Sequence, residues 1–517
     1  MAITVSTPNN VESNNGNSLA VFKESTTNKF YVKDINGQIQ DIASGLGLTV
    51  IFEIGTGANS TQRIGSGTSS GDGSTISGGV GNDASGLSST ISGGSNNTAS
   101  GLSSTISGGS NNATSLSGST ISGGSGNTSS GNYSTIGGGT IQNASGLNST
   151  IGGGTTNIAS NPNSTVSGGS SNTASGYVYG KSTVGGGNSN TASADNSTVS
   201  GGQNNTASGE YSTTVGGGQN NTASTNYATV SGGTTNIASN LNSTVGGGNT
   251  NTASGSDSTV SGGNTNTASK QNSTVGGGNT NTASGPDSTV GGGNTNTASN
   301  VSSTLSGGSG NTSSGSASTV GGGQTNTAKG GNSTVSGGGY NTSSAGNSTV
   351  SGGYGNGGSG GFATVSGGGY NTASGVYSVV GGGFENSASN TDCTVGGGST
   401  NTSSGADGTV GGGLENVASG QFSAVCGGTK NQATALQSTI CGGENNVASA
   451  VESSILGGSQ NSTSTFQNSH ILGSNITSDR IDCAFVENLS IKSIPTAAVG
   501  LPSGSLWSNA GVINIVP

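Results

Sequence analysis

Branched apolar residues recur along this chain at one position in about every fifteen, with small and polar residues between them. The unit reads approximately x-x-Ser-Thr-Val-(Ser/Gly)-Gly-Gly-x-x-Asn-Thr-Ala-Ser-Gly. Its branched residue, called the anchor below, occurs 27 times; 23 of the 26 intervals are 15 residues, two are 16 and one is 18. A fixed short period indicates one structural unit stacked many times, so the pattern predicts an elongated solenoid. The anchors are Ile76, Ile91, Ile106, Ile121, Ile136, Ile151, Val166, Val184, Val199, Val215, Val230, Val245, Val260, Val275, Val290, Leu305, Val320, Val335, Val350, Val365, Val380, Val395, Val410, Val425, Ile440, Ile455 and Ile471.

Small and apolar positions alternate with threonines inside each unit, as residues 242–255 (NSTVGGGNTNTASG) show. Alternation of period two places successive side chains on opposite faces of a strand, so Val245, Asn251 and Ala253 share one face. Glycines after Val245 and the Ser-Gly pair at 254–255 suit tight corners, because glycine readily adopts positive φ. We therefore predict two five-residue strands and two corners per coil.

Three columns of the repeat predict the core ladder, represented by Val245, Asn251 and Ala253. The anchor column holds only Val, Ile or Leu, and the alanine column admits only small substitutes. Asn fills its own column in 25 of the first 26 units, with Gln142 as the exception. Small repeated side chains indicate a narrow interior, and stacked Asn side chains predict an amide ladder. With coils about 4.8 Å apart, 27 coils would form a rod of about 130 Å.

Both ends of the chain depart from the repeat and carry bulky apolar residues. Segments with the composition of strands are 20–22 (AVF), 29–32 (KFYV), 34–42 (DINGQIQDI, with an Asn36-Gly37 hairpin signal), 483–489 (CAFVENL), 501–507 (LPSGSLW) and 512–516 (VINIV). Solenoids need caps that prevent their end strands from pairing with other chains. We therefore predict an N-terminal β attachment or cap region at 1–70, a solenoid shaft at 71–478, and a C-terminal β cap, trimerisation or attachment tip at 479–517.

Composition narrows the possible functions. The net charge is −10, with only ten Lys and Arg in 517 residues, so a basic stripe for nucleic acid is not expected. No run of 18 apolar residues is present, so membrane insertion is not expected. The first ten residues (MAITVSTPNN) lack the basic and apolar regions of a signal peptide. Glycine does not recur at every third position, which excludes a collagen helix.

Chemistry-bearing residues are sparse. His470 is the only histidine, so a histidine-based triad or multi-histidine metal site within one chain is excluded. Glycine runs are not followed by Lys-Ser/Thr, so they do not form a phosphate loop. We expect a non-enzyme with no catalytic residue, metal or cofactor. Cys426 and Cys441 occupy the same position of consecutive units. Two interpretations are possible: a disulfide bridge between the coils, or two small side chains that stack without a bond.

Two surface features are candidate receptor contacts. The 18-residue unit contains an insertion that should bulge outward and includes Tyr177, Tyr179 and Lys181. Further aromatic residues gather late in the repeat. Exposed rings can stack on sugars, while packing against neighbouring corners or chains is the alternative. The late aromatic candidates are Tyr340, Tyr354, Phe362, Tyr370, Tyr377 and Phe384.

The sequence Ala-Ser-Gly-x-x-Ser-Thr-Val-x-Gly-Gly, recurring over about residues 70–475, resembles the head repeats of trimeric autotransporter adhesins. The resemblance implies a left-handed parallel β-roll in which three chains pack side by side as a homotrimer. Similar repeats occur in phage and virus tail fibres, and the ends (FYVKDING at 30–37, GLPSGSLW at 500–507) resemble those of phage tail-fibre and virion proteins.

Two features depart from the adhesin pattern. The outward slots that are apolar in adhesin heads are mostly Thr, Ser or Gly here, and become apolar only at Leu456 and Leu472. A trimer sealed by apolar contacts along its whole length is therefore not expected. The adhesins' C-terminal coiled coil and membrane barrel are also absent from this sequence, which disfavours a self-anchored adhesin.

The leading functional hypothesis is a non-enzymatic structural fibre: a virion or tail-fibre appendage that acts as spacer and host-surface adhesin. Its expected partners are further copies of itself, other virion or appendage proteins through the termini, and a host-surface glycan or protein. One alternative is a bacterial surface adhesin or secreted filament subunit, located outside the cell or at its surface. Another is an ice-binding β-solenoid, because the outward columns of Thr244 and Thr252 would form regular arrays.

Overall fold

The computed structural model of the chain describes residues 9–12, 18–23, 30–33, 39–41, 53–54, 60–62, 67–177, 180–211, 213–490, 492–509 and 511–517. These residues form strands, bridges and turns, without a helix. The chain divides into two compact units, Met1–Thr295 and Asn296–Pro517. Each unit contains a parallel β-solenoid with coils of about fifteen residues, which confirms the predicted fold class.

The path of one coil is shown by residues 243–257. Thr244–Val245 is the first strand and Thr252–Ala253 the second, while Asn249 forms a single parallel bridge to Asn264 of the next coil. Each coil therefore contributes to three parallel ladders. The expected five-residue strands are wrong, because Thr250 and Asp257 adopt left-handed φ values of 58° and 56°, which interrupts the extended backbone.

Unit 1 stacks two sheets of two- and three-residue strands. The anchor sheet pairs threonine with threonine and anchor with anchor, as in Thr244↔Thr259 and Val245↔Val260. Its strands are Thr75–Ile76, Thr90–Ile91, Thr105–Ile106, Thr120–Ile121, Thr135–Ile136, Thr150–Ile151, Thr165–Val166, Thr183–Val184, Thr198–Val199, Thr214–Val215, Thr229–Val230, Thr244–Val245, Thr259–Val260, Thr274–Val275 and Thr289–Val290. The alanine sheet contains Gly67–Ser69, Asn82–Ala84, Thr98–Ala99, Ala113–Thr114, Thr128–Ser129, Asn143–Ala144, Ile158–Ala159, Thr173–Ala174, Thr191–Ala192, Thr206–Ala207, Thr222–Ala223, Ile237–Ala238, Thr252–Ala253, Thr267–Ala268 and Thr282–Ala283.

Unit 2 repeats this arrangement with more varied outward residues. Its anchor sheet contains Thr304–Leu305, Thr319–Val320, Thr334–Val335, Thr349–Val350, Thr364–Val365, Val379–Val380, Thr394–Val395, Thr409–Val410, Ala424–Val425, Thr439–Ile440, Ser454–Ile455, His470–Leu472 and Ala484–Val486. Its alanine sheet contains Thr297–Ala298, Thr312–Ser313, Thr327–Ala328, Thr342–Ser343, Gly357–Gly358, Thr372–Ala373, Ser387–Ala388, Thr402–Ser403, Val417–Ala418, Gln432–Ala433 and Val447–Ala448.

Outside the periodic sequence, parallel stacking extends by a further strand at each end. Thr61–Gln62, which pairs antiparallel with Glu53–Ile54, pairs parallel with Thr75–Ile76, and Ala484–Val486 pairs parallel with His470–Leu472. The remaining strands are antiparallel. Near the C-terminus Leu506–Asn509 pairs with Val512–Ile515. In the N-terminal sheet Asn9–Glu12, Ser18–Lys23, Phe30–Lys33 and Ile39–Asp41 pair in chain order.

The N-terminal hairpin prediction is supported by the pairing of Phe30–Lys33 with Ile39–Asp41, in which Lys33 lies opposite Ile39. The predicted turn residues Asn36 and Gly37 lie outside the described residues.

The core of each coil is narrow. Val245, Ala253 and Asn251 are all fully buried, together with Ser243. Burial of one branched side chain contributes about 1.5–3 kcal/mol, so hydrogen bonds along the stack must stabilise each coil as well.

Candidate functional site

The buried Asn column joins each coil to the next. Asn251 Oδ1 accepts the backbone N–H of Asn266 at 2.9 Å, while Asn251 Nδ2 donates to the carbonyl oxygens of Gly247 at 2.7 Å and Gly263 at 2.8 Å. The predicted amide-to-amide ladder is therefore corrected to one that runs mainly from side chain to backbone. Direct amide pairs occur at few positions, such as Asn97 Nδ2 to Asn82 Oδ1 at 3.2 Å.

The glycine corner beside this column holds the backbone of successive coils close together. Gly263 has a φ of 90°, and a Cβ added there would lie 2.1 Å from the carbonyl oxygen of Gly278. A side chain is therefore excluded at this position by both conformation and space. The two residues after the corner are exposed and belong to two adjacent surface columns. Asn249 belongs to the bridge column and Thr250 to the left-handed column.

In unit 2 these two surface columns carry four aromatic rings on successive coils, which we call the aromatic edge: Tyr340, Tyr354, Tyr370 and Phe384. Ring centroids are 5.2 Å apart between Tyr340 and Tyr354, 5.5 Å between Tyr354 and Tyr370, and 5.8 Å between Tyr370 and Phe384. The interplanar angles of 57°, 74° and 85° are typical of tilted and edge-to-face pairs, which are favourable for aromatic rings.

Glycines complete the aromatic edge by alternating with the rings. A Cβ on Gly339 would lie 3.2 Å from Tyr354 Cδ2, and one on Gly355 would lie 2.8 Å from Tyr370 Cδ1. Gly369 faces Phe384 in the same way, at 3.3 Å. The rings of Tyr354, Tyr370 and Phe384 thus each lie over a glycine of the preceding coil, and all four rings pack against their neighbours. The four side chains nevertheless remain 47–51% exposed.

The aromatic edge is nearly free of charge. Its two columns hold only glycine beside the rings, apart from Glu385, which follows Phe384. Partial desolvation raises the pKa of Tyr354, and the neighbouring Tyr370 and Tyr340 raise it further. The Tyr354 phenol is therefore neutral at physiological pH. Such a surface offers apolar ring area with neutral hydroxyl groups at its margin.

Two other candidate aromatic residues form a separate pair. Phe362 and Tyr377 occupy the turn column of Asn242, and their rings stack at 5.0 Å with an interplanar angle of 17°. Both are about half exposed. The six late aromatic candidates therefore fall into two groups in different columns, four on the aromatic edge and two at the turn.

The insertion in the 18-residue coil lies in unit 1. Tyr177 is 75% exposed, and Lys181 is exposed with its backbone N–H bonded to the Pro162 carbonyl oxygen at 3.0 Å. Tyr179 lies outside the described residues. The Gly180 N–H donates to the Asp195 carboxylate at 3.2 Å, which ties the end of the insertion to the following coil.

His470 is engaged in local hydrogen bonds. Its Nε2 lies 3.0 Å from Asn468 Oδ1 and its Nδ1 2.7 Å from Ser454 Oγ. Because the amide oxygen can only accept, Nε2 carries the proton, and in the neutral ring Nδ1 accepts from the serine hydroxyl. The ring therefore bridges neighbouring coils.

Other sites of conventional chemistry are sparse in the part of the chain that the structure describes. An open depression of about 280 Å³ is lined by Gly457, Gly458, Leu472, Gly473, Ser474, Glu487 and Asn488; the Glu487 carboxylate accepts the Ser474 N–H at 3.0 Å. Among the described residues, no group of three His, Cys, Asp or Glu side chains is arranged to hold a metal ion. Nor does that part of the chain contain a helix long and apolar enough to cross a membrane.

Sequence reasoning identified the rings but missed the glycines that complete the aromatic edge. The ring spacings provide the missing signal, because Tyr340, Tyr354, Tyr370 and Phe384 are separated by 14, 16 and 14 residues. These steps around a fifteen-residue period show that the rings alternate between two adjacent columns.

The fold and surface define a β-solenoid repeat protein. No protein-family model matches the chain, and no curated protein resembles it significantly in sequence.

Proposed function

We propose that this chain is a structural fibre, a virion or tail-fibre appendage that serves as a spacer and contacts the host surface. The observation that carries the proposal is the in-register stacking, in which the strand residues of a coil pair with their equivalents on the next, as in Thr334↔Thr349 and Val335↔Val350. Stacking of this kind adds length with each coil rather than enclosing a pocket.

The direction of the polar contacts supports a mechanical role. In the coil that contains Asn251, the side-chain oxygen and one amide hydrogen bond reach the following coil, and the backbone N–H groups of Thr244 and Thr252 donate there as well. A pull along the stack would therefore load several hydrogen bonds per coil at once. This arrangement suits a spacer.

Exposed apolar residues near the C-terminus support self-association, and the proposal includes a homotrimer joined there. Leu489, Val499, Val512 and Ile515 are all exposed, Val499 to 95%. Large exposed apolar side chains are common at interfaces between protein chains. Burial between copies would remove this surface from water without requiring apolar contacts along the whole shaft.

The aromatic edge supports a role in host contact. Its rings present exposed apolar area, and its surroundings carry hydroxyl, amide and backbone groups with little charge. A neutral glycan matches this chemistry, because its C–H faces stack on rings while its hydroxyl groups bond to neutral polar groups. The rings' mutual packing preorganises such a surface, since their rotamers are already restricted.

Light scattering and electron microscopy of the purified full-length chain test the fibre and its oligomeric state. We expect a mass near three times 48.6 kDa and elongated particles of uniform length. Replacing both Val512 and Ile515 by Asp should reduce the mass to that of one chain, whereas replacing exposed Val80 and Leu87 of unit 1 by Asp should not. A monomeric wild-type protein contradicts the trimer, and open-ended filaments indicate a polymerising surface appendage instead.

Glycan-array binding tests the host contact separately. We expect Tyr354→Ala and Tyr370→Ala each to reduce binding at least tenfold. Tyr377→Ala, which removes an equally exposed ring at the turn, is the matched control and should bind as wild type. Binding that falls equally in all three variants, or no glycan binding by the wild type, contradicts this part of the proposal.

One observation favours ice binding as a second candidate. The outward residue before the anchor is threonine in every anchor-sheet strand of unit 1 from Thr75 to Thr289, and each described pairing is in register. This unbroken, partly exposed column forms a regular hydroxyl and methyl array. A thermal-hysteresis assay tests it: replacing Thr244, Thr259 and Thr274 by Lys should abolish the effect, while the same change at Thr252, Thr267 and Thr282 should not. Absence of hysteresis in the wild type excludes this candidate.

A further inference from the structure

Cys426 and Cys441 face solvent on adjacent coils of unit 2, at the same position of the repeat. Each follows an anchor, and those anchors pair in parallel register as Val425↔Ile440. The Cys426 N–H donates to the Ile440 carbonyl oxygen at 2.9 Å, and the Cys441 N–H donates to that of Ile455 at 2.9 Å. Both thiols are free and exposed.

The spacing of these coils brings the two cysteines within reach of a covalent bond. Neighbouring strands of a sheet lie about 4.8 Å apart, and disulfides join residues whose Cα atoms are about 4.4–6.8 Å apart. Partial desolvation raises the pKa of the Cys441 thiol, and the neighbouring Cys426 raises it further. Two cysteines at the same position of adjacent, in-register coils therefore lie within the range that a disulfide can join.

The local backbone can provide the remaining movement. A disulfide requires the two Cβ atoms to approach to about 3.8 Å, closer than the strand spacing. Each cysteine is followed by two glycines, at 427–428 and 442–443, and a Cβ added to the first of each pair would meet nothing within 4 Å. A bond made by such an adjustment is strained and exposed, which is typical of readily reduced disulfides.

We propose that Cys426 and Cys441 form a reversible disulfide between successive coils when the protein meets a small oxidised disulfide such as glutathione disulfide. One cysteine thiolate attacks a sulfur of the small disulfide, breaks its S–S bond and releases one small thiolate. The second cysteine thiolate then attacks the protein sulfur of the mixed disulfide and releases the other. The two cysteines lose two electrons and two protons, which leave on the two small thiols.

The bond would close near the end of the regular repeat, one coil before the anchor interval lengthens to 16 residues between Ile455 and Ile471. It would remain open in a reducing cytosol and close outside the cell. A covalent link between coils at this point would oppose their separation. The inference stands independently of whether the chain binds a glycan or forms a trimer.

Alkylation and peptide mass spectrometry of the full-length protein in glutathione redox buffers test the inference. In oxidising buffer we expect two of the four cysteines to become resistant to alkylation and one linked peptide pair containing Cys426 and Cys441, reversed by dithiothreitol. The Cys483→Ser variant is the matched control and should form the same link. Cys426→Ser and Cys441→Ser should form none.

Two outcomes would overturn the inference. One is a wild-type protein that takes up glutathione at both positions without an internal link; the other is cross-linking only between chains on a non-reducing gel. Hydrogen exchange provides a second readout on folded protein. Oxidation should slow amide exchange in residues 425–456 at least threefold in the wild type and leave it unchanged in Cys441→Ser.

Discussion

The backbone N–H of Asn266 donates to the side-chain oxygen of Asn251, its equivalent one coil earlier, at 2.9 Å. The same Asn251 side chain donates to Gly247 and Gly263, so its hydrogen-bonding groups serve two coils at once. Because the site is fully buried, water cannot replace these bonds. The stability of a coil therefore depends on its Asn as well as on its anchor.

Replacing Asn251 by Ala should destabilise this part of unit 1. The buried N–H of Asn266 loses its acceptor, and an unsatisfied buried group costs about 1–3 kcal/mol. Hydrogen exchange should show faster opening of the coils around residues 251–266, because repeat proteins respond locally. Thr252→Ala, on the outward face, is the control and should change stability by less than about 0.5 kcal/mol. Equal effects of the two substitutions would refute the role assigned to Asn251.

Gln142 provides a natural exception whose repair should stabilise the protein. Its Oε1 accepts the Asn157 N–H at 2.9 Å, but its Nε2 is buried without a hydrogen-bond partner. An Asn side chain there would place its amide near the Gly138 and Gly154 carbonyl oxygens, as Asn157 does with Gly153 and Gly169.

We therefore expect Gln142→Asn to increase the free energy of unfolding by about 1 kcal/mol. Slower hydrogen exchange across residues 138–157 would show that the added stability is localised to these coils. Exchange that is unchanged or faster there would mean that the shorter side chain does not form these bonds.

Adjacent glycines at one corner should differ sharply in their tolerance of alanine. At Gly263 the left-handed backbone costs about 1–2 kcal/mol for a residue with a Cβ, and that Cβ would also meet the Gly278 carbonyl oxygen at 2.1 Å. At Gly262 an added Cβ meets nothing within 4 Å. Urea unfolding should show a loss above about 2 kcal/mol for Gly263→Ala and below about 0.5 kcal/mol for Gly262→Ala. Comparable losses would show that the corner is not packed as described.

The pH response of Tyr354 should reveal the packing of the aromatic edge. Desolvation and the flanking tyrosines raise its pKa above the usual value of about 10. The folded state therefore holds this proton more tightly than the unfolded state. The associated stability is fully present below pH about 10 and is lost as pH rises through the raised pKa.

The ultraviolet absorbance of the wild type and of Tyr354→Phe can each be titrated with pH. The difference between the two titration curves reports the ionisation of the Tyr354 phenol. We expect its midpoint above pH 10 in the folded protein and at the usual value in denaturant. A folded midpoint at or below pH 10 would show that the neighbouring rings do not desolvate the Tyr354 phenol.

The columns of the core could be predicted from sequence because their spacing and alternation constrain them directly. Val245 and Ala253 are buried where period two places them, and the stacked register follows from the fifteen-residue period. Strand length could not be predicted, since left-handed conformations occur at non-glycine residues such as Thr250 and Asp257. The partners of Asn251 depend on how closely the glycine carbonyl oxygens approach, which composition does not specify. Predicting the aromatic edge would require knowing the exact offset of the rings between successive coils.

Coils of irregular length keep the hydrogen bond from the backbone N–H of one Asn to the side-chain oxygen of the Asn one coil earlier. The Asn190 N–H reaches Asn172 Oδ1 at 3.0 Å across 18 residues, and the Asn221 N–H reaches Asn205 Oδ1 at 3.0 Å across 16. Extra residues are accommodated elsewhere in the coil, so the buried amide keeps the spacing between coils the same whatever the length of the coil. Tandem duplication or loss of a whole coil would consequently change length in fixed increments, while inserted residues diversify the surface independently.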